Sequence, residues 1–399
     1  MKIVIINSGS SSIKYQLIEM PSNTVICSGM IDRIGLETSN LTYKTDTIRI
    51  EEILPIPNHK IGLNKIAELL MDNKVGVIHS TSEIDAVGHR VVHGGNTFSK
   101  TVVIDAHVKH EIKQLFDLAP LHNPANYEGI IVAEEIFKQA KQVAVFDTAF
   151  HQTIPVMAHK YAIPNSFLTE QKMRVYGFHG TSHKYVSEKA IDYLKSNLIN
   201  SGSKIITIHL GNGCSMTAIK DGKSVDHSLG FAPMNGLIMG TRSGDVDQSI
   251  IFHMVNALGY SLEEVNTLLQ KKSGMLGLTG YSDLREIEEN AQKGNSECQL
   301  ALAMKAYRIK KFIGSYVAVL NGLDAIVFTA GIGENSSYIR KLVCTDTDYF
   351  GIELDDNKNE IRSKEIREIN TVNSKTKVLV IPTNEEFEIA NQVYDLLLN

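Results

Sequence analysis

The sequence predicts a duplicated α/β fold, in which two similar domains each offer a small polar turn to a shared cleft. One observation is at the N-terminus, where an apolar run from Ile3 enters a turn over residues 8–12 and leaves as an alternating strand. The other is a similar strand, turn and strand over residues 204–219, where Asn-Gly between apolar runs is a strong hairpin signal. Similar hairpins about half a chain apart indicate a repeated domain.

The first turn has the composition of a phosphate site. Residues 8–12 bring backbone N–H groups and hydroxyls together, and Gly9 can adopt a positive φ, so oxyanions can bind there. Lys14 alternates with apolar neighbours, and the pattern directs its cation toward the same anion. An ordinary connecting turn is the competing interpretation. The repetition of the hairpin, with His209 beside the second turn, favours phosphate binding.

Composition excludes several classes of protein. The 399 residues are 43% hydrophobic and 21% charged, which is typical of a globular protein with two or three domains. The net charge of -5 without basic runs argues against nucleic acid or an anionic membrane as a partner. The apolar run at the N-terminus is too short for a signal peptide, and we expect no membrane span. Cys27, Cys214, Cys298 and Cys344 form no C-x-x-C pair, which predicts free thiols in a reducing cytoplasm.

The elements of the first half follow from periodicity and turn residues. We expect strands over residues 24–30, 41–50, 84–92 and 142–146, and helices over 63–71, 108–116 and 127–139.

The second half begins near residues 151–155. Helices are expected over 185–198 and within 248–270 and 284–320, strands over 325–329 and 378–381, and an irregular segment over 230–243. Thr383 and Glu386 have the spacing of a capping box, which predicts a final helix. No low-complexity linker separates the halves, so we expect them to meet across a hinge.

Three charged residues stand out in their contexts. Asp147 follows the strand 142–146, where ligand-facing residues of open α/β sheets gather. Its carboxylate can serve a metal or a nucleophile, and a turn or helix cap is an equally open interpretation. Arg90 and Arg242 lie near glycines, and a guanidinium matches carboxylates and phosphoryl groups. Two such arginines indicate an anionic acceptor and an anionic donor, with surface salt bridges as the alternative.

Two histidine pairs have a spacing that zinc ligands also use. His179 and His183, like His89 and His93, are four residues apart, but neither pair has the Glu of H-E-x-x-H and nearby glycines disfavour a helix. Zinc is therefore the weaker interpretation. His179 is better suited to stabilise developing oxyanion charge, and His183 to a structural role.

Two further features concern the nucleotide and a metal. Residues 331–335, Gly-Ile-Gly-Glu-Asn, follow a strand and resemble a nucleotide-binding turn, although Gly-x-Gly alone is weak evidence. Glu385 lies in the first turn of the last helix, where the helix dipole favours a carboxylate. With Asn7 it can also hold Mg²⁺ through oxygen ligands and water.

Together these motifs resemble those of the acetokinase family of acyl kinases, in the family's order and over the whole chain. The motifs are residues 7–14, 88–95, 176–183, 209–213, 239–245 and 331–335. The resemblance implies reversible, Mg²⁺-dependent transfer of a phosphoryl group from ATP to acetate, giving acetyl phosphate and ADP by direct in-line transfer. It also implies the duplicated, ribonuclease H-like fold of the actin, Hsp70 and sugar kinase superfamily, in a cytoplasmic homodimer.

The resemblance further implies a division of the chain and of its residues. Residues 1–150 plus 384–399 form the N-terminal domain, and residues 151–383 form a nucleotide-binding and dimerising domain. Mg²⁺ is assigned to Asn7 and Glu385, and catalysis to Asp147, His179 and Arg242. The acyl substrate is assigned to Arg90, with Val92, Leu121, Phe178 and Pro233 around its methyl group. ATP is assigned to Lys14, His209, Leu210, Gly211, Asn212, Gly213, Asp283, Leu284, Arg285, Gly331, Ile332, Gly333, Glu334 and Asn335.

The sequence departs from the family pattern near the acyl pocket. Thr-Pro-x-Glu-Gly is usual before the Gly-Thr-Arg motif, whereas residues 232–236 read Ala-Pro-Met-Asn-Gly, and Gln248 replaces a usual Pro. Acetate and propionate therefore both stay open as substrates.

Three other function classes are less consistent with the sequence. A sugar kinase needs a base for a neutral hydroxyl, and the paired arginines argue against it. An Hsp70-like ATPase needs a peptide-binding domain, for which we expect no room after Glu385 in this sequence. A zinc hydrolase would be excluded by metal analysis of the purified protein.

Overall fold

The computed structural model describes residues 1–196 and 203–398, which divide into two compact units. One unit contains Met1–Phe150 together with the segment from Asn384 onward, and the other contains His151–Thr383. No helix within the described residues is both long and apolar enough to cross a bilayer.

The first unit is built on an eight-stranded sheet in the order β5-β4-β3-β2-β1-β6-β8-β7. Its strands are β1 (Lys2–Ser8), β2 (Ser12–Glu19), β3 (Thr24–Asp32), β4 (Ser39–Lys44), β5 (Arg49–Leu54), β6 (Ala86–Val91), β7 (Val102–Val103) and β8 (Lys141–Phe146). Its helices before residue 150 are α1 (His59–Met71), α2 (Ala106–Gln114) and α3 (Asn123–Ile136). Strands β1, β2 and β3 pair antiparallel, whereas β1, β6 and β8 pair parallel.

The second unit repeats this arrangement. Its six strands have the order β11-β10-β9-β12-β14-β13, where β9 (Lys204–Leu210), β10 (Cys214–Lys220), β11 (Lys223–His227), β12 (Ala325–Thr329), β13 (Arg367–Glu368) and β14 (Lys377–Val380) are the elements. Strands β9, β10 and β11 pair antiparallel, whereas β9, β12 and β14 pair parallel. The predicted duplicated α/β fold is therefore confirmed.

The second unit holds most of the helices within the described residues, and the last helix belongs to the first unit. The second unit contains α4 (Val156–His159), α5 (Asn165–Thr169), α6 (Gly180–Ser196), α7 (Gln248–Asn256), α8 (Leu262–Lys271), α9 (Gly274–Thr279), α10 (Leu284–Gln292), α11 (Ser296–Leu320), α12 (Ala330–Asn335), α13 (Ser337–Cys344) and α14 (Asp356–Glu360). The last helix, α15 (Glu385–Leu398), belongs to the first unit.

The period-two pattern of β1 explains how the first sheet is covered on both faces. Val4 and Ile6 pack in one apolar core with side chains of α1 and α3. Ile3 and Ile5 point the other way, into a second core that includes Ile389 of α15. Strand β1 is thus buried on both faces.

Three local predictions were wrong. Residues 41–50 form parts of two strands, β4 and β5, joined by a turn in which Thr45 N donates to Ile48 O at 2.8 Å. Residues 331–335 belong to helix α12 and are not an open turn. Helix α6 begins at Gly180, before the predicted start at residue 185, and the predicted end at residue 198 lies outside the described residues.

The predicted capping box of the last helix was also wrong. Asn384 caps α15, since its Oδ1 accepts from Phe387 N at 3.0 Å. Thr383 N instead donates to Glu334 Oε1 at 3.0 Å, and Glu386 pairs with Lys14. The four cysteines are buried free thiols, as predicted.

Candidate active site

Four polar residues converge in the first unit where parallel strands end. Asn7 lies near the end of β1, Arg90 near the end of β6, and Asp147 directly after β8. Arg90 Nε donates to Asp147 Oδ1 at 3.2 Å, its Nη2 donates to Oδ2, and its Nη1 reaches Asn7 Oδ1 at 3.3 Å. Glu385 Oε2 lies 4.0 Å from Arg90 Nε. The adjacency of β1, β6 and β8 in the sheet brings these side chains together.

The electrostatics of this cluster are dominated by burial and by excess carboxylates. Burial alone would lower the pKa of Arg90, but Asp147 and Glu385 raise it above its ordinary value. Burial raises the pKa of Glu385, opposed by Arg90 and assisted by Asp147 and Glu386. The cluster therefore contains two cations, Arg90 and Lys14. It contains three carboxylates, which belong to Asp147, Glu385 and Glu386.

This donor set fits a divalent cation such as Mg²⁺. The side-chain oxygens of Asn7 and Glu385 are hard ligands, and the local surplus of negative charge favours a cation. Within residues 1–196 and 203–398 there is no group of three His, Cys, Asp or Glu side chains arranged to hold a metal. Mg²⁺ commonly uses one or two protein oxygens and completes its shell with water and phosphate.

The first hairpin differs from the predicted nest of donors. Gly9 does not adopt a positive φ, and its N–H donates to Ser12 O at 2.8 Å. The carbonyl of Gly9 lies 2.6 Å from His59 Nε2. Lys14 Nζ lies 2.5 Å from Glu386 Oε1 and is about half exposed, at 52%. The hairpin is present, but the Gly9 N–H is used to close its own turn.

Two residues assigned to the acyl pocket lie in this unit. Val92 follows β6, is 5% exposed, and its N–H donates to Asn126 Oδ1 at 3.0 Å. Leu121 is 49% exposed and lies just before α3. Val92 is thus fixed two residues beyond Arg90, whereas Leu121 presents an apolar side chain at the surface of its unit.

In the second unit, His179 is fixed by a serine and by another histidine. Its backbone has φ 56°, which is uncommon for a residue other than glycine. Its Nδ1 hydrogen-bonds with Ser215 Oγ at 2.8 Å, and its ring stacks on His209 with centroids 4.4 Å apart. Phe178, the preceding residue, is buried, and its N–H donates to His227 Nε2 at 3.1 Å. The side chain of His179 is therefore held in one orientation.

The structure assigns His183 to the protein interior. It is fully buried, and its ring nitrogens hydrogen-bond with Thr207 Oγ1 and Ser215 Oγ, both at 2.7 Å. Burial, together with His151 and His209, lowers its pKa well below the ordinary value. These contacts agree with the predicted structural role.

Arg242 lies beside the second turn. Its Nη1 donates to Pro233 O at 2.5 Å, and a Cβ added at Gly213 would lie 3.6 Å from its Nη2 and 3.3 Å from the His179 ring. Among the residues that the structure describes, Arg242 forms no ion pair with a carboxylate. Burial lowers the pKa of its guanidinium. A partly buried cation without a counterion is suited to bind an anion.

A cavity of about 750 Å³ in the second unit gathers many residues assigned to the nucleotide. The predicted residues that line it are Gly211, Asn212, Asp283, Leu284, Arg285, Gly331, Ile332 and Asn335. Helix α12 begins after β12 and supplies Gly331, while α10 is capped by Asp283. Its size and its mixture of apolar and polar groups suit a nucleotide.

Six other nucleotide assignments lie outside this cavity: Lys14, which belongs to the first unit, and five residues of the second unit. Leu210 is fully buried in β9, and Gly333 packs against Phe328. Glu334 accepts from Thr383, and burial raises its pKa. His209 and Gly213 adjoin His179.

Sequence reasoning missed four residues that line the cavity. They are Ser282, Glu288, Ser336 and Arg362. Ser336 Oγ donates to Glu288 across the cavity wall. Ser282 and Ser336 adjoin predicted motifs and could have been found by extending them. Arg362 lies in an irregular segment with no local pattern that signals a site.

Comparisons with known proteins identify the family of this chain. The model of the Acetokinase family matches residues 2–391. The acetate kinase of Flavobacterium johnsoniae is 73% identical over 399 residues, covering 100% of both chains. The crystal structure of Porphyromonas gingivalis acetate kinase superimposes with a TM-score of 0.93 at 44% identity and 99% coverage of each chain. That of a Francisella tularensis propionate kinase gives 0.91, at 42% identity and 98% coverage of each. This chain belongs to the acetokinase family.

Proposed function

We propose that the protein is an acetate kinase that transfers the terminal phosphoryl group of ATP to acetate, reversibly and with Mg²⁺, giving acetyl phosphate and ADP. The observation that carries this proposal is Arg242, whose guanidinium has no carboxylate partner among the described residues and lies beside the turn that borders the nucleotide cavity. Family membership supports the same activity. Propionate kinase activity is the alternative.

The acceptor requires binding more than activation. A carboxylate is ionised at neutral pH, so it can attack phosphorus without a strong base. We assign its binding to Arg90, whose guanidinium is oriented by Asp147 through two hydrogen bonds. Asp147 then serves the acceptor indirectly, by fixing the group that holds it.

The moving phosphoryl group requires positive charge and hydrogen-bond donors. Catalysis of such transfers depends mainly on alignment and on neutralising charge on the phosphoryl oxygens. We assign this work to Arg242 and His179, which are both adjacent to Gly213. Mg²⁺, held by Asn7 and Glu385, would neutralise phosphate charge when bound.

Substrate size is assigned to Val92, Leu121, Phe178 and Pro233, around the methyl group of acetate. Val92 is buried in the first unit and Phe178 in the second, which supports a fixed position for each side chain, while Pro233 is anchored through its contact with Arg242. An added methylene changes binding in such pockets by about 1–3 kcal/mol. Acetate and propionate are therefore distinguished by a modest ratio of kcat/KM.

We also propose a homodimer formed through the second unit. Leu300, Met304 and Tyr307 are exposed on α11 at helical spacing, which leaves an apolar stripe for a second copy. Light scattering after gel filtration should give twice the 44.2 kDa of one chain. A single-chain mass would contradict this assembly.

The buried free thiols support a location in a reducing cytoplasm.

Initial rates of ADP formation with acetate, propionate, butyrate and glycerol test the proposal. We expect the highest kcat/KM for acetate, a lower value for propionate and no activity with glycerol. A preference for propionate would select the alternative. Activity with glycerol but with none of the acids would instead indicate a sugar kinase-like enzyme.

A further inference from the structure

Lys305 places an ammonium group in the interior of the second unit. It lies on α11 and is 1% exposed. Its Nζ donates to Ile238 O at 2.7 Å and to Cys214 Sγ at 3.3 Å. It has no ion pair with a carboxylate anywhere in residues 1–196 or 203–398. Burying an unpaired ammonium is costly, so its presence calls for an explanation other than packing.

One of its contacts leads to the turn that borders the nucleotide cavity. Cys214 begins β10 immediately after Gly213, and its Sγ donates to Gly211 O at 3.3 Å. The sulfur therefore accepts from Lys305 and donates to the turn. This chain of hydrogen bonds fixes the position of residues 211–213 relative to α11.

The other contact leads to Arg242. Ile238 lies in the irregular backbone between β11 and α7, and residues 238–242 of this stretch contact the turn. Gly240 N donates to Asn212 O at 3.0 Å, and a Cβ added at Gly240 would lie 2.0 Å from Asn212 Oδ1. Lys305 thus hydrogen-bonds with Cys214, which follows the turn, and with Ile238 of the 238–242 segment, and the turn and this segment contact each other.

We propose that Lys305 is a positioning residue for phosphoryl transfer, which holds the turn through Cys214 and the 238–242 segment through Ile238 so that Arg242 stays beside Gly213. The inference rests on the function proposed above for Arg242 and the turn. The buried charge of Lys305 also favours an anionic ligand at the turn. Lys305 itself is not assigned any contact with substrate.

The test is a double-mutant cycle between Lys305→Met and Arg242→Ala. Methionine keeps the length of the side chain but removes its donors and charge. We expect Lys305→Met alone to lower kcat about tenfold or more, because small displacements of a catalytic group are costly. In the Arg242→Ala background it should lower kcat by less than about threefold, because coupled residues are not additive. The proposal would be overturned if Lys305→Met lowered kcat by the same factor with and without Arg242→Ala. It would also be overturned if Lys305→Met alone left kcat at the wild-type value.

Two controls separate positioning from general stability. Lys195 is exposed on α6 of the same unit, and Lys195→Met should leave kcat and the melting temperature unchanged. Cys214→Ser keeps a donor and an acceptor, whereas Cys214→Ala removes both. If Lys305→Met fails to fold, the two Cys214 variants provide the test. The proposal requires that kcat of Cys214→Ala falls well below that of Cys214→Ser. Equal kcat values would overturn it.

The wild-type assay separates this inference from the proposed function. A wild-type protein that forms no acetyl phosphate would end the proposed function. The inference would then be judged by calorimetry with ADP, where Lys305→Met should weaken binding about fivefold, or about 1 kcal/mol. Unchanged ADP affinity would overturn it.

Discussion

Arg90 and Asp147 form a buried two-point ion pair that joins the ends of neighbouring strands β6 and β8. Asp147 is 1% exposed, and the Arg90 side chain is 18% exposed. Both guanidinium nitrogens that face Asp147 donate to it. An arginine held in this way keeps its remaining donor edge for another group, which Asn7 approaches at 3.3 Å.

Replacement of Asp147 tests whether this pair matters for both folding and turnover. Asp147→Asn removes the carboxylate that accepts two hydrogen bonds from the buried Arg90 guanidinium, so we expect a loss of about 3 kcal/mol in unfolding free energy. Turnover should fall about 100-fold because Arg90 is no longer oriented. Chemical denaturation and initial rates measure the two effects.

A matched control is the exposed pair of Arg49 and Glu51. Glu51 is 59% exposed, and Glu51→Gln should change stability by less than about 1 kcal/mol and leave the rate intact. If Asp147→Asn behaved like this surface control, the assigned role of Asp147 would be wrong.

Arg242→Ala should affect the transition state more than nucleotide binding. We expect kcat to fall about 100-fold or more while the KM for ATP changes less than about threefold, because charge develops on the phosphoryl oxygens during transfer. Steady-state kinetics at saturating acetate measure both values. Lys271→Ala, at an exposed site on α8, is the control. Equal changes in kcat and KM would refute the role assigned to Arg242.

Gly331 provides a test of the nucleotide cavity. A Cβ added at Gly331 meets no atom within 4 Å, although the residue lines the cavity. Gly331→Leu should therefore fold normally but raise the KM for ATP about tenfold, a cost of about 1.4 kcal/mol, with the KM for acetate unchanged. Gly331→Ala should show a smaller effect. An unaltered KM in the Leu variant would place the nucleotide elsewhere.

Because some of its histidines are buried, we predict that the folded protein becomes less stable in mild acid. Burial lowers the pKa of His89 from its ordinary value near 6.5 to about 4, opposed by Gln142, and that of His93 to about 4. Between pH 6.5 and 4 the unfolded chain binds more protons, so stability is complete above about pH 6.5 and falls as the pH decreases. Each such group contributes up to about 1.4 kcal/mol per pH unit in that range.

Thermal melts between pH 7 and 4 measure this dependence. His89→Gln should flatten the decline, whereas His110→Gln, at an exposed position, should leave it unchanged. Identical slopes in the wild type and the His89 variant would show that this histidine is not the cause.

Much of the fold could be predicted because its signals are local. The two hairpins follow from alternating apolar residues around Gly9 and around residues 211–213, and the repeat follows from their likeness. The 331–335 motif was misjudged because Gly-x-Gly disfavours a helix by propensity, whereas these residues belong to α12 in the structure.

The site was harder to predict because it depends on contacts distant in sequence. Nothing local to Arg90 indicates that it pairs with Asp147 or that Asn7 lies beside it. Lys14 carries the expected positive charge, but the packing of α15 supplies Glu386 as its partner. Lys305 and Arg362 lie outside every motif, so only the fold brings them near the turn and the cavity.

The most direct test of the account is to trap the product with hydroxylamine, using purified protein, ATP, Mg²⁺ and acetate. Acetyl phosphate reacts with hydroxylamine to give acetyl hydroxamate, which can be measured beside ADP. We predict that hydroxamate and ADP form in equal amounts, and that neither forms when acetate is omitted. ADP released at the same rate without acetate, and with no hydroxamate, would contradict it.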